Sequence, residues 1–178
     1  MKYFLGIDQS FRSSGIVILD ESAAVIVATT VVAPKDIDIF SRALFVAEAI
    51  SNQFIKVHNP TIIGLEGLAF SNIGNATRDL AGLQFTIVNY LRGNHNCTED
   101  NLIIVPPTSL KKFATTKGNA KKEVMVDFLP ENVLELFQKK NYKKTTGLYD
   151  VTDAYWIARY LLEVHRRNQT TQTATPKT

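Results

Sequence analysis

A chain of 178 residues, 45% of them apolar and with a formal net charge of +3, has the size and composition of one globular domain. Charges break its apolar stretches well short of the ~20 residues that cross a bilayer, and the segment Met1 to Asp8 reaches an acid too early for a signal-peptide core, so the expected location is the cytoplasm with no membrane span. The single cysteine, Cys97, excludes an internal disulfide and any multi-thiolate zinc site, which leaves oxygen and imidazole as metal donors.

Residues 2–8, 14–20 and 23–32 are apolar and rich in β-branched side chains, separated by the polar segments Gln9 to Gly15 and Asp20 to Ser22. This pattern predicts a three-stranded antiparallel meander. From Ile39 to Val57 apolar residues recur at helical spacing until His58-Asn59-Pro60 ends the run. Short apolar runs at 61–66 and 102–105 fit parallel strands, with a helix between them from Ala76 to Leu91. Further helices are expected near 108–113, 120–129, 133–140 and 150–166, followed by a tail from Asn168 to Thr178 without periodicity, expected to be disordered. The sum is an α/β domain over residues 1–167: a mixed sheet, three antiparallel strands and then parallel ones, flanked by helices.

Four acids stand out. Asp8 lies where the first buried strand ends, with no helix start nearby for it to cap, and Glu66 stands at the C-terminal end of Ile62-Ile63-Gly64-Leu65-Glu66, where open α/β sheets place ligand sites. A charge in either place costs free energy unless it is paired or ligated; the alternative is an acid exposed at a turn. Asp150 and Asp153 lie three apart, on one face at the start of the last helix. They serve there either as an N-cap and a first-turn acid or as partners of the two strand-end acids. Four converging carboxylates would repel without cations between them, and hard oxygen donors select Mg²⁺ or Mn²⁺. Two such ions ~3.5–4 Å apart serve phosphoryl transfer.

Charge is unevenly spread. Segment 111–144 holds nine lysines against Glu123, Asp127, Glu131 and Glu135, a local +5 that leaves −2 for the remainder. Such a segment is either a solvated face or the meeting place for an anionic partner. Within it Lys117, Lys121 and Lys122 surround Gly118-Asn119, with Asn119 placed to cap the next helix. Lysines at a helix start oppose the helix dipole, which a bound phosphate would offset.

The ordered set Gly6-Ile7-Asp8-Gln9-Ser10 with Arg12 and Gly15, then Glu66, then Pro107-Thr108-Ser109-Leu110-Lys111-Lys112 leading to Gly118-Asn119-Ala120-Lys121-Lys122, then Asp150-Val151-Thr152-Asp153-Ala154, resembles the RuvC family of Holliday junction resolvases. The resemblance implies an RNase H-like fold and a homodimeric endonuclease that nicks four-way DNA junctions symmetrically, leaving ligatable ends. It implies Asp8, Glu66, Asp150 and Asp153 as ligands for two Mg²⁺ ions, and Lys111 and Lys122 at the family's functional basic positions, with Lys122 in the catalytic set. Lys112, Lys117 and Lys121 join them as expected DNA contacts. The family carries proline and glycine after the first aspartate, where this chain has Gln9 and Ser10. Its junction-opening aromatic stands three residues past the glutamate, where this chain has Ala69 and then Phe70. Phe70 is either that DNA-contacting wedge or a core residue.

The reading at this point is a Mg²⁺-dependent, structure-selective endonuclease acting on four-way or branched DNA. Its rivals are an RNase H-like nuclease for other branched DNA or RNA, an actin-like phosphotransferase, for whose second domain there is no room, and a DNA-binding module without catalysis. Apolar residues on more than one face of the helix from Ala76 to Leu91, among them Leu80, Leu83, Phe85, Ile87, Val88 and Leu91, are the residue-level argument for a two-fold dimer.

Overall fold

The computed structural model describes residues 1–68 and 74–173, the last two by backbone alone. The expected meander is present as β1 (Tyr3–Asp8), β2 (Ser14–Asp20) and β3 (Val25–Val31). Two parallel strands, β4 (Ile62–Glu66) and β5 (Leu102–Val105), complete a five-stranded mixed sheet of order β3-β2-β1-β4-β5. The ends of β1, β3, β4 and β5 and the start of β2 therefore lie along one edge of the sheet.

Successive side chains along a strand point to opposite faces, and both faces here are apolar. On one face Leu5, Ile7, Ile16, Ile18, Ile63 and Leu65 pack under α1 (Ile39–Ile50) and α3 (Asn75–His95). α1 is capped by Asp38, whose carboxylate accepts from the amides of Phe40 and Ser41. It runs on through a π-helical turn, Ser51–Ile55, into the short α2 (Lys56–His58). On the other face Phe4, Val17, Leu19 and Ile62 pack under α7 (Leu148–Thr173), itself covered by α4 (Pro107–Thr115), α5 (Lys122–Asp127) and α6 (Glu131–Lys139).

Three expectations need correction. α7 begins at Leu148, so Asp150 sits inside its first turn and does not cap it. α7 also continues six residues past Arg167, because no proline or glycine intervenes before Pro176; Thr170 and Thr171 hydroxyls donate back to the carbonyls of Arg166 and Arg167. Asn119 does not cap α5. The Lys117 carbonyl holds a turn by accepting from Ala120 N at 3.3 Å and Thr115 Oγ1 at 3.1 Å, which delays the helix to Lys122 with Lys121 at its cap position. Among the described residues no helix is long and apolar enough to cross a membrane.

Candidate metal centre

The parallel pairing of β1 and β4 sets Gly6 level with Gly64 and Ile7 level with Leu65. Two residues past the glycines, on the same face, stand Asp8 and Glu66. α7 lies on that face, and the sheet offers it a floor without side chains. A Cβ at Gly6 would fall 2.1 Å from the Ala154 carbonyl oxygen, and one at Gly15, opposite Asp8, would fall 2.0 Å from that of Asp150. Backbone thus touches backbone, and the first turns of α7 press Asp153 toward the two strand-end acids. Carboxylate oxygens of Asp8, Glu66 and Asp153 lie within 4.8 Å of one another.

Asp8 and Asp153 are buried, at 7% and 3% exposure, and Glu66 is partly so. Burial, then the Asp153 charge, pushes the Asp8 carboxyl well above the usual range. The same two causes push Glu66 up to about 7. Asp153 is raised chiefly by burial, in spite of the Lys122 ammonium 3.0 Å from its Oδ2. Burial alone would lower the Lys122 pKa, but Asp153, Asp8 and Glu66 outweigh it and hold the ammonium firmly protonated. One lysine in contact with three close carboxylates, all of them raised, leaves negative charge incompletely compensated in a poorly solvated place. An all-oxygen donor set with that excess fits a hard divalent cation, held by Asp8, Glu66 and Asp153.

The other expected residues divide. Lys111 is near enough to lower the pKa of Glu66 and Asp153. Asp150 is not one of the close trio but raises the pKa of Asp8 and Asp153 from nearby. Lys112, Lys117 and Lys121 are exposed around the same α4–α5 corner. Phe70 lies outside the described residues.

Two residues with no role legible in the sequence hold the backbone beside the trio. Gln9 Nε2 and Gln84 Nε2 both donate to the Glu66 carbonyl, at 2.6 and 2.7 Å, and so clamp the end of β4 from the β1 loop and from α3. Among the described residues Gln9 Oε1 is buried without a partner. The only signal in the sequence was negative: an amide stands where the family has proline.

No family model matches the sequence, and no curated protein matches it. Solved structures do. Thermus thermophilus RuvC in complex with a Holliday junction substrate is 14% identical with a TM-score of 0.70, the match covering 96% of this chain and 98% of that one. A structure of Thermus thermophilus RuvC is 15% identical at 0.67, covering 95% and 97%. The yeast mitochondrial Holliday junction resolvase is 18% identical at 0.61, covering 95% and 83%. With its mixed sheet, its helix order and these likenesses, the chain has the RuvC-like form of the RNase H fold.

Proposed function

We propose that this protein is a divalent-metal-dependent endonuclease that resolves four-way DNA junctions by paired symmetric nicks, working as a homodimer with two Mg²⁺ ions per site. The observation that carries the reading is the convergence of Asp8, Glu66 and Asp153 within 4.8 Å on the face of a RuvC-like sheet. Asp150, one helical turn before Asp153, completes the proposed ligand set. When bound, the cations would activate water and stabilise the leaving oxygen.

The chain's own residues then have defined tasks. The trio and Asp150 would hold the cations, and the two glutamines hold the Glu66 main-chain carbonyl at the end of β4. Lys122, kept protonated, balances charge at the phosphate that arrives. Water attacks phosphorus, one backbone P–O bond breaks, and the departing oxygen takes a proton. Lys111, Lys112, Lys117 and Lys121 supply sequence-independent contacts to the backbone.

Phe70 is the proposed junction-opening aromatic. Phe70→Ala should slow cutting of closed junctions while junctions with unpaired central bases are cut almost normally; a large loss of thermal stability instead would make it a core residue.

The dimer reading rests on an exposed apolar surface. α1 and α3 pack side by side and leave Phe40 82%, Phe85 65% and Leu44 44% exposed. The second face expected on α3 is thinner than its composition implied: Leu83, Ile87 and Leu91 are buried, Leu80 and Val88 lean on the core, and Phe85 alone of the six is exposed.

The test of the activity is a panel of labelled four-way, three-way and linear duplex DNA, with and without Mg²⁺. Preferential, Mg²⁺-dependent cutting of the four-way junction is expected. Linear duplex cut as fast would remove the resolvase reading and leave a nuclease of other specificity.

A further inference from the structure

On the β3 side of the acidic trio the same sheet edge opens into a cavity of about 680 Å³. It lies between the β1–β2 loop, the end of β3 and the segment that leads into α7. Three exposed cations line it, Arg12, Lys35 and Lys144, against one carboxylate, Asp150. Among the described residues, none of the three cations has an ion pair. Hydroxyls of Ser10 and Thr146 and the half-buried ring of Tyr149 lie on the same lining.

Both walls are held in place by bonds unrelated to any ligand. In the first, Ser14 Oγ donates to the Ser10 carbonyl at 2.9 Å, Ser10 Oγ accepts from Arg12 N at 3.1 Å, and Arg42 donates to the Phe11 carbonyl while lying over its ring. In the second, Lys140 Nζ and Tyr142 Oη both donate to the Ala28 carbonyl at 3.3 Å, and Gly147 turns the chain at φ +87°. The backbone of both walls is therefore set before any ligand arrives, which lowers the ordering cost of binding.

We propose that this cavity is a strand subsite that takes the DNA phosphodiester backbone flanking the scissile phosphate, on the side of the trio away from the α4–α5 lysines. The inference rests on the endonuclease reading. Strands in a sheet are ~4.8 Å apart, so the end of β3 lies ~10 Å from that of β1, and β5, which leads into the α4 lysines, lies ~10 Å to the other side. A backbone laid along this edge meets cations, then the carboxylate trio, then cations again. The cationic lining with hydroxyls and one aromatic ring is the composition of a groove that tracks a strand without reading its bases. Asp150 marks the end of the cavity that meets the metal centre, where a bound cation offsets its charge.

The test compares the parent with Lys35→Gln/Lys144→Gln in binding a labelled four-way junction in EDTA across about 50–200 mM salt. Both positions are exposed, and matching thermal melts verify that the fold is kept. The double variant should bind about tenfold more weakly at moderate salt, and its slope of log affinity against log salt should be shallower by about 1.5, because each lost phosphate contact removes ~0.7–0.9. A junction whose strand is trimmed back to the scissile phosphate on this side should bind the parent more weakly and leave the variant indifferent. An unchanged slope, or a variant that still loses affinity on trimming, overturns the subsite. Competition by millimolar mononucleotide or inorganic phosphate that the variant no longer shows also overturns it, in favour of a small-anion site. A parent that cuts junctions beside an unaffected variant removes the subsite alone; a parent that neither binds nor cuts branched DNA removes the endonuclease reading with it.

Discussion

Asp8, Glu66 and Asp153 are held close by the fold although their charges repel, and that conflict can be measured without any substrate. A carboxyl whose pKa is raised on folding binds more protons folded than unfolded, so stability falls as pH rises through the folded value. For Glu66 that value is about 7, and Asp8 is raised from the same causes. His95 and His165, lowered by burial, act in the opposite direction only below their ordinary value of 6.5. For Glu66 the loss runs from its ordinary value of 4.5 to about 7. The metal-free protein should therefore lose thermal stability as pH rises toward about 7, with the part above 6.5 free of any opposing histidine contribution, and added Mg²⁺ should flatten the decline. Glu66→Gln should stabilise the metal-free protein by on the order of 1–3 kcal/mol at pH 8 and abolish the Mg²⁺ effect; a melting temperature that is flat or rising across the window would contradict the repulsion. Asp8→Asn, which keeps the shape and removes a ligand charge, should reduce cleavage to background with junction binding kept or tightened, as read by gel shift. Loss of binding and folding together would make Asp8 a structural residue. Asp8 and Glu66 could be found in the sequence because each ends an apolar strand. Gln9 and Gln84 could not, because the group they share is a backbone carbonyl 57 and 18 residues away.

At the scale of elements, the strand alternation was readable to within two residues, since apolar runs of period 2 have few other uses. The seating of α7 was not readable. Gly6 and Gly15 look like turn or strand-weakening residues in one dimension, and the helix backbone they accommodate is well over a hundred residues downstream. The start of α7 was misplaced for a related reason: Asp150 has the chemistry of a cap, but Gly147 ends the preceding turn and lets the helix begin before it. Gly6→Ala should destabilise the protein by ~3 kcal/mol or more, beyond ordinary overpacking, because the atom it strikes is backbone and cannot rotate away. Urea unfolding would measure this. Any folded fraction should bind Mg²⁺ more weakly, as α7 must lift and carry Asp153 off the trio; unchanged stability and metal affinity would contradict the packing account.

For the molecule as a whole, the lysine-rich segment was visible as an excess of +5 in the sequence, but its place beside the acids was not, because it depends on α5 docking on α7 and bringing Lys122 to Asp153. The cavity beyond β3 was hidden more thoroughly, since Arg12 and Lys35 lie far along the chain from Lys144 at the end of the lysine-rich segment. The exposed Phe40, Leu44 and Phe85 make the assembly testable: Phe40→Glu/Phe85→Glu should convert a dimer to monomer by light scattering without lowering thermal stability, and a parent that is monomeric while fully active would remove the dimer. Mapping the nicks tests metal, dimer and junction at once. A four-way junction with each strand labelled in turn is cut in a single turnover, with Mg²⁺ and with EDTA. Mg²⁺-dependent nicks are expected at symmetric positions in two strands of like polarity, within the same junction. Nicks that persist in EDTA, or that fall singly and at unrelated positions in the four strands, would contradict the proposed function.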